Sequence, residues 1–362
     1  REELIIMDFE EFKRNFQDDL QDRLSDRGFD DLKVESKPVE KLNGSYEGLI
    51  VKTEGSSIGV NANMTAMFQS YEDGADYDKV VDRATDMIEQ GLNNAPNIEI
   101  AKFTDYDQMK NKLAMEVVSS DRNADMLQNV PHENIEDMAV VYRFIVGSGP
   151  DENSSILVTN NMLDSYGITQ EQLHADAMEN APEIRPSEIR GMTEILSEMM
   201  PGTGMSVDPA DEQMFVASVP DKIHGAGVLA YPNFMEDAAQ KLGGDYFVLP
   251  SSIHEVILVR DNGQMSAEEL QNMVKDVNAS QVSPEEQLTD HAYHYDSKDH
   301  IFEMADQYES RMREKEMDIA EKDPAEKDSL IGDLKAKKDE VAKQAPEKIV
   351  DKAAKSRSGE VL

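Results

Sequence analysis

The residues equipped to do chemistry sit in two short stretches. One is Pro250-Ser251-Ser252-Ile253-His254-Glu255; the other is Asp290-His291-Ala292-Tyr293-His294-Tyr295-Asp296. The first brings together hydroxyls, an imidazole and a carboxylate, the set from which a nucleophile and its base are built. Ser252, His254 and Glu255 are the candidate catalytic residues there. Their spacing counts against them. Neighbours in a strand point to opposite faces, so His254 and Glu255 diverge. Ser252 and His254 share a face, but two strand steps separate them by about 6.6 Å, where a working pair needs roughly 2.6–3.2 Å. No Gly-x-Ser-x-Gly turn surrounds either serine. The structural reading is a turn after Pro250 in which a serine hydrogen-bonds its own backbone.

In the second stretch His291 and His294 stand three apart, which on a helix puts both imidazoles on one face and makes them candidate metal ligands. There is no His-Glu-x-x-His, and no second cluster supplies the remaining ligands. The alternative is a polar segment after a Ser283-x-x-Glu286 capping box, with Tyr293 and Tyr295 packed on the core. His132, His174 and His224 stand alone. The acidic stretches holding Asp73, Asp76 and Asp78, and Asp208 and Asp211, lack calcium-loop spacing. Neither glycine-rich phosphate loop pattern occurs, and the absence of cysteine removes thiolate nucleophiles and Cys-ligated metals. No cofactor is expected.

The elements that must carry these residues centre on Gly243–Gly263, where apolar runs Tyr246–Leu249 and Ile253–Val259 are bounded by breakers and read as two strands. Upstream, residues 7–27 form an amphipathic helix on Phe9, Phe12, Phe16, Leu20 and Leu24. Strand signals follow at 32–35, 46–53 and 57–61, then a helix over 76–90 with Asp76 as N-cap and Gly91 as stop. A strand is expected at 99–103, a helix at 106–118, strands at 138–146 and 154–159, and a helix at 169–180 behind Thr169-x-x-Gln172. The segment 184–200 contains a further helix on Met192, Ile195, Leu196 and Met199. Gln213–Val219 and Gly225–Tyr231 read as a hairpin, and helices follow at 232–242 and, on a Ser266-x-x-Glu269 capping box, 266–277. Hairpin followed by helix recurs about four times, so the expected fold is α+β, mainly antiparallel sheet built from repeated hairpin–helix units. The expected organisation is an N-terminal portion, 1–200, a linker, 201–212, a C-terminal portion, 213–310, and a charged helical or disordered tail, 311–362, whose helix starts near Asp299. Methionines such as Met87, Met192, Met199 and Met273 are placed to fill the core.

Net charge is −38. Residues 311–362 hold 13 basic and 13 acidic residues, so the excess lies in 1–310, with 23 basic against 61 acidic. Such a surface repels phosphates and anionic lipid and suits a basic protein partner. No direct nucleic-acid or membrane binding is expected, and no apolar run approaches the roughly 20 residues of a membrane helix.

Three phrases, at 157–180, 227–259 and 282–296, resemble an uncharacterised domain-of-unknown-function family of anaerobic Gram-positive bacteria, over about residues 7–310. The resemblance implies a cytoplasmic protein linked to mobile genetic elements and carries over no catalytic residue. Three functions then stand open. The first is a protein-binding or regulatory module with an acidic surface. The second is an enzyme with a non-standard site near His254 or His291/His294, and the third an acidic mimic of DNA.

Overall fold

A computed structural model describes residues 7–54, 59–94, 103–146, 155–200, 208 and 210–321. The architecture is α+β with three antiparallel sheets. The backbone divides into two compact units, residues 1–105 with 122–128, and residues 106–121 with 129–362.

The first unit opens with α1 (Phe9–Asp26), whose Phe12, Phe16, Leu20 and Leu24 are buried. Spaced by four residues, they make one stripe. The Asp8 carboxylate caps the helix by accepting the Glu11 N–H at 2.8 Å. A three-stranded sheet follows, β1 (Leu32–Lys41), β2 (Gly44–Thr53) and β3 (Val60–Asn63), in that order. β1 and β2 pair from Leu32↔Thr53 to Lys41↔Gly44 around a turn at Leu42-Asn43. The strand expected at 57–61 is seen from Val60, positions 57 and 58 lying outside the described residues. Then come α2 (Met64–Glu72) and α3 (Tyr77–Asn93). α3 runs past Gly91, the expected stop, because that glycine serves close packing: a Cβ there would press on Val60. Phe9, Phe12, Phe68, Tyr71 and Tyr77 join α1, α2 and α3 in one aromatic cluster, Phe12 lying edge-on to Tyr77 at 5.7 Å between centroids.

The second unit begins with the single turn α4 (Tyr106–Met109) and then β4 (Leu113–Ser119). The helix expected over 106–118 is therefore a turn and a strand. All seven residues of β4 are buried, and a strand covered on both faces loses the alternation that distinguishes strand from helix. The short α5 (Ala124–Leu127) belongs to the first unit. At its start Asn123 and Asn43 exchange two hydrogen bonds, 2.7 and 2.9 Å, across the β1–β2 turn. β5 (His132–Ile135), β6 (Met138–Ile145) and β7 (Ser155–Leu157) complete the second sheet, with β6 between β4 on one edge and both β5 and β7 on the other. The strand expected at 99–103 falls, but for Phe103, outside the described residues.

After α6 (Asn160–Tyr166) and α7 (Gln170–Ile184) the chain breaks from helix into a strand, β8 (Glu188–Gly191), and then forms α8 (Met192–Met199), the helix expected within 184–200. Pro186 accounts for the break, since it steers Arg185 out of the helical region. β9 (Met214–Ser218) pairs with β8, so the strands on either side of the expected linker 201–212 are neighbours in one sheet. Positions 201–207 and 209 lie outside the described residues. Gly225–Ala230, expected as the hairpin partner of β9, is a 3-10 helix. Its glycines are there for contact. A Cβ at Gly225 would fall on the Ser218 hydroxyl and the His254 carbonyl, and one at Gly227 on the Met115 carbonyl.

α9 (Phe234–Leu242), β10 (Tyr246–Leu249), β11 (Val256–Arg260), α10 (Ala267–Ser280), β12 (Tyr293–Asp296), β13 (Ile301–Met304) and α11 (Ala305–Glu321) complete the unit. The third sheet has the order β13-β12-β10-β11-β9-β8, so the Gly243–Gly263 stretch does supply two central strands. The helix expected from Asp299 starts six residues later, because Ile301–Met304 pairs with β12. α10 begins with the full reciprocal Ser266–Glu269 capping box. Of the methionines assigned to the core, Met87, Met199 and Met273 are exposed and Met192 is half-buried.

Candidate functional site

The chain bends between β10 and β11, and His254 lies on that bend, two residues before β11 starts. The Ser252 hydroxyl oxygen accepts the His254 backbone N–H at 3.0 Å. Ser252 therefore closes its own turn. Glu255 has no hydrogen-bond or ion-pair partner among the described residues. The three candidate catalytic residues do not form a constellation with one another. His254 instead joins a set of residues drawn from other elements.

His254 Nδ1 accepts the backbone N–H of His224 at 3.2 Å. In the neutral ring that places the proton on Nε2, which lies 3.4 Å from a Glu286 carboxylate oxygen. His224 is the residue before the 3-10 helix and sits in the left-handed region at φ 53°. The two imidazoles lie 5.5 Å apart between centroids. Behind His224 is Glu116 of β4, a carboxylate only 1% exposed. Arg143 of β6 donates from Nε to one Glu116 oxygen at 2.7 Å and from its guanidinium to Ser155 at 3.3 Å. The other Glu116 oxygen stands 3.5 Å from His224 Nδ1. Burial lowers the His224 pKa, Glu116 pulls it back, and Arg143 and His254 push it down again, so the net direction is down. A neutral imidazole thus rests against an anchored, buried carboxylate, with a second, partly exposed imidazole beside it. Titratable groups arranged in this way can pass protons.

His291 and His294 are not on a helix. β12 begins between them, and the two rings go to different carboxylates. His294 is wholly buried, 3.1 Å from an Asp261 oxygen and stacked on Tyr308 at 3.5 Å. His291, 43% exposed, has its Nδ1 2.8 Å from Asp137 Oδ2. Asp137 also accepts from the Thr289 hydroxyl at 3.0 Å and from the Tyr293 hydroxyl. Burial pushes the Asp137 carboxyl up, but Tyr293, His291 and Thr289 together outweigh it and hold it below the usual carboxylate range. Among the described residues no group of three His, Cys, Asp or Glu is arranged to hold a metal ion.

Sequence reasoning missed His224, Glu116 and Asp137. A signal existed for Glu116, a lone carboxylate within the apolar run Leu113–Val118. None existed for the meeting of His224 with His254, which depends on where the 3-10 helix docks.

The first unit offers a different kind of site. Along the edge of α1 a groove of about 420 Å³ is lined by Asp18, Asp22 and Asp30, with Phe29 and Leu32 beside them. Asp30 accepts the Ser25 hydroxyl at 2.8 Å, while Asp18 and Asp22 have no partner among the described residues. On the neighbouring edge of α1, Arg23 and Arg27 are each paired twice with carboxylates of α3. No lysine or arginine lines the acidic groove itself.

A family model described as "Family of unknown function (DUF5688)" matches residues 9–297, and the chain belongs to that family. No curated protein and no solved structure matches it.

Proposed function

We infer that the protein is a binding module that recognises a basic segment of a protein partner. The observation that carries this reading is the groove along α1, where Asp18 and Asp22 stand unpaired beside apolar Phe29 and Leu32. Unpaired carboxylates around a small apolar floor suit a lysine or arginine side chain, which needs a charge at its tip and apolar surface along its stem. The excess of acid over the body of the chain would speed the encounter at low salt. The test uses the full chain and peptides of lysine alternating with leucine or with serine, read by titration calorimetry from 50 to 500 mM salt. The expected result is binding of the leucine-containing peptide that weakens with salt and falls at least tenfold in D18N/D22N/D30N. Equal affinity of the triple variant would overturn the reading. Competition of duplex DNA with the chain for one basic protein would point instead to a mimic of DNA.

The cluster around Glu116 favours a second reading, an acid–base centre. His254 is poorly placed as its base, because its Nδ1 lone pair is engaged by the His224 N–H. The base would then be His224. H224Q and H254Q would separate the roles: an activity lost in the first and kept in the second fits this geometry, and the reverse does not.

A further inference from the structure

The first unit contains a second groove, between α2 and α3, of about 340 Å³. That volume lies in the low part of the range of small-molecule sites. Ala66, Met67, Val80, Ala84 and Met87 supply its apolar wall. Two of its polar side chains, Asn63 and Ser70, bond to the backbone of α2. The Asn63 side chain accepts the Ala66 N–H at 2.9 Å, and the Ser70 hydroxyl donates to the Ala66 carbonyl at 3.0 Å. Arg83 is the one charged residue lining the groove, and it has no hydrogen-bond or ion-pair partner among the described residues. Arg23 and Arg27, close by in the same unit, are each paired with two carboxylates. In a chain of net charge −38, an exposed arginine with no carboxylate partner at the rim of an apolar groove presents its fork of donors to an anion from outside. Met67 and Met87 have unbranched, adaptable side chains that mould to apolar chains of varied shape.

We propose that the α2–α3 groove binds a carboxylate-headed alkyl chain, the chain lying on Met67, Val80, Ala84 and Met87 and the carboxylate meeting Arg83. A carboxylate matches the planar guanidinium in two parallel hydrogen bonds, and the alkyl chain covers the methionines. A neutral head would leave Arg83 unpaired. The net negative charge of the chain disfavours loose, non-specific binding of an anion. This site is independent of the acidic groove along α1.

The test uses the full chain with its methionine methyl groups labelled with carbon-13, titrated with decanoate below its micelle concentration and, separately, with 1-decanol. The expected result is that decanoate moves the Met67 and Met87 signals, assigned by Met67→Leu and Met87→Leu, and binds at least tenfold more tightly than decanol. Arg83→Gln is expected to remove that tenfold preference while leaving the thermal midpoint unchanged. Ala66→Trp, at an exposed position on the groove wall, is expected to block both ligands. Equal binding of the two ligands would overturn the proposal. So would shifts spread over many methionines, or Arg83→Gln binding decanoate as the native chain does.

Discussion

The two units solve the problem of an acidic composition in opposite ways. In the first, the core is apolar and aromatic, and among the described residues the buried polar ones are Thr85 and Asn123. Its charges lie outside, paired along one edge of α1 and unpaired along the other. The second buries charge: Glu116, Arg185, His294, Asp296 and Glu303 are all within 9% exposure. Each has a specific partner. Arg185 meets Asp221, and Arg311 of α11 gathers Asp296, Asp299 and Glu303. A buried ion pair adds little net stability, because desolvation offsets most of the attraction, but breaking one is costly. The second unit is therefore sensitive to single polar changes in a way the first is not.

The largest effect should come from Glu116→Gln. It leaves Arg143 without its carboxylate, at a cost of about 3 kcal/mol, read as a fall in the urea midpoint. A midpoint within error of the native chain would mean that the pair is inert and that the contrast between the units is one of composition only.

A smaller effect should follow pH. An unfolded histidine titrates near pH 6.5, and His224 in the fold is held lower by burial. The unfolded chain then binds more protons between the two values, so stability rises with pH there. The contribution is complete above about pH 6.5 and is lost as pH falls toward the folded value. Urea midpoints at pH 7.5 and 5.5 should differ less in H224Q than in the native chain. An unaltered difference would show that His224 does not sense its buried surroundings.

The smallest effect should be in the first unit. Arg23→Met removes two pairs whose carboxylates are more than half exposed, and such pairs are worth under about 1 kcal/mol. A larger loss would erase the contrast from the other side.

What could be read from sequence follows the same division. α1 and α3 announce themselves, because each has one wet and one dry face and so a clean period; the β1–β2 hairpin is marked by its Asn43-Gly44 turn and not by alternation. The Gly243–Gly263 strands were legible from their breakers. β4 was not, since it is dry on both faces, and neither was the 3-10 helix, whose glycines look like a hairpin turn until the strands they touch are known. The packing of α1 had a period to read; the division of the backbone near residue 105 has only the short Asn93–Asn97 breaker run before it, less conspicuous than Pro201–Asp211. The site shows the limit most plainly. Ser252, His254 and Glu255 are neighbours in sequence, yet Ser252 meets His254 only at its backbone, whereas His254, His224, Glu116 and Glu286 come from four places along the chain. Local spacing cannot report a meeting that tertiary packing makes.

The pair of hydrogen bonds between Asn43 and Asn123 has a consequence for the order in which the chain can be made. As the chain leaves the ribosome, the β1–β2 turn must wait for eighty further residues before its partner arrives. Within that interval β4 is synthesised, mostly apolar and without its β6 partner until Met138–Ile145 follows. The nascent protein therefore passes through a length at which the N-terminal unit lacks its last contact while the first strand of the next unit is bare. A nascent chain halted when residue 125 has just emerged from the ribosome, with Met138–Ile145 still inside it, should be the form on which a chaperone that recognises exposed strands lingers longest.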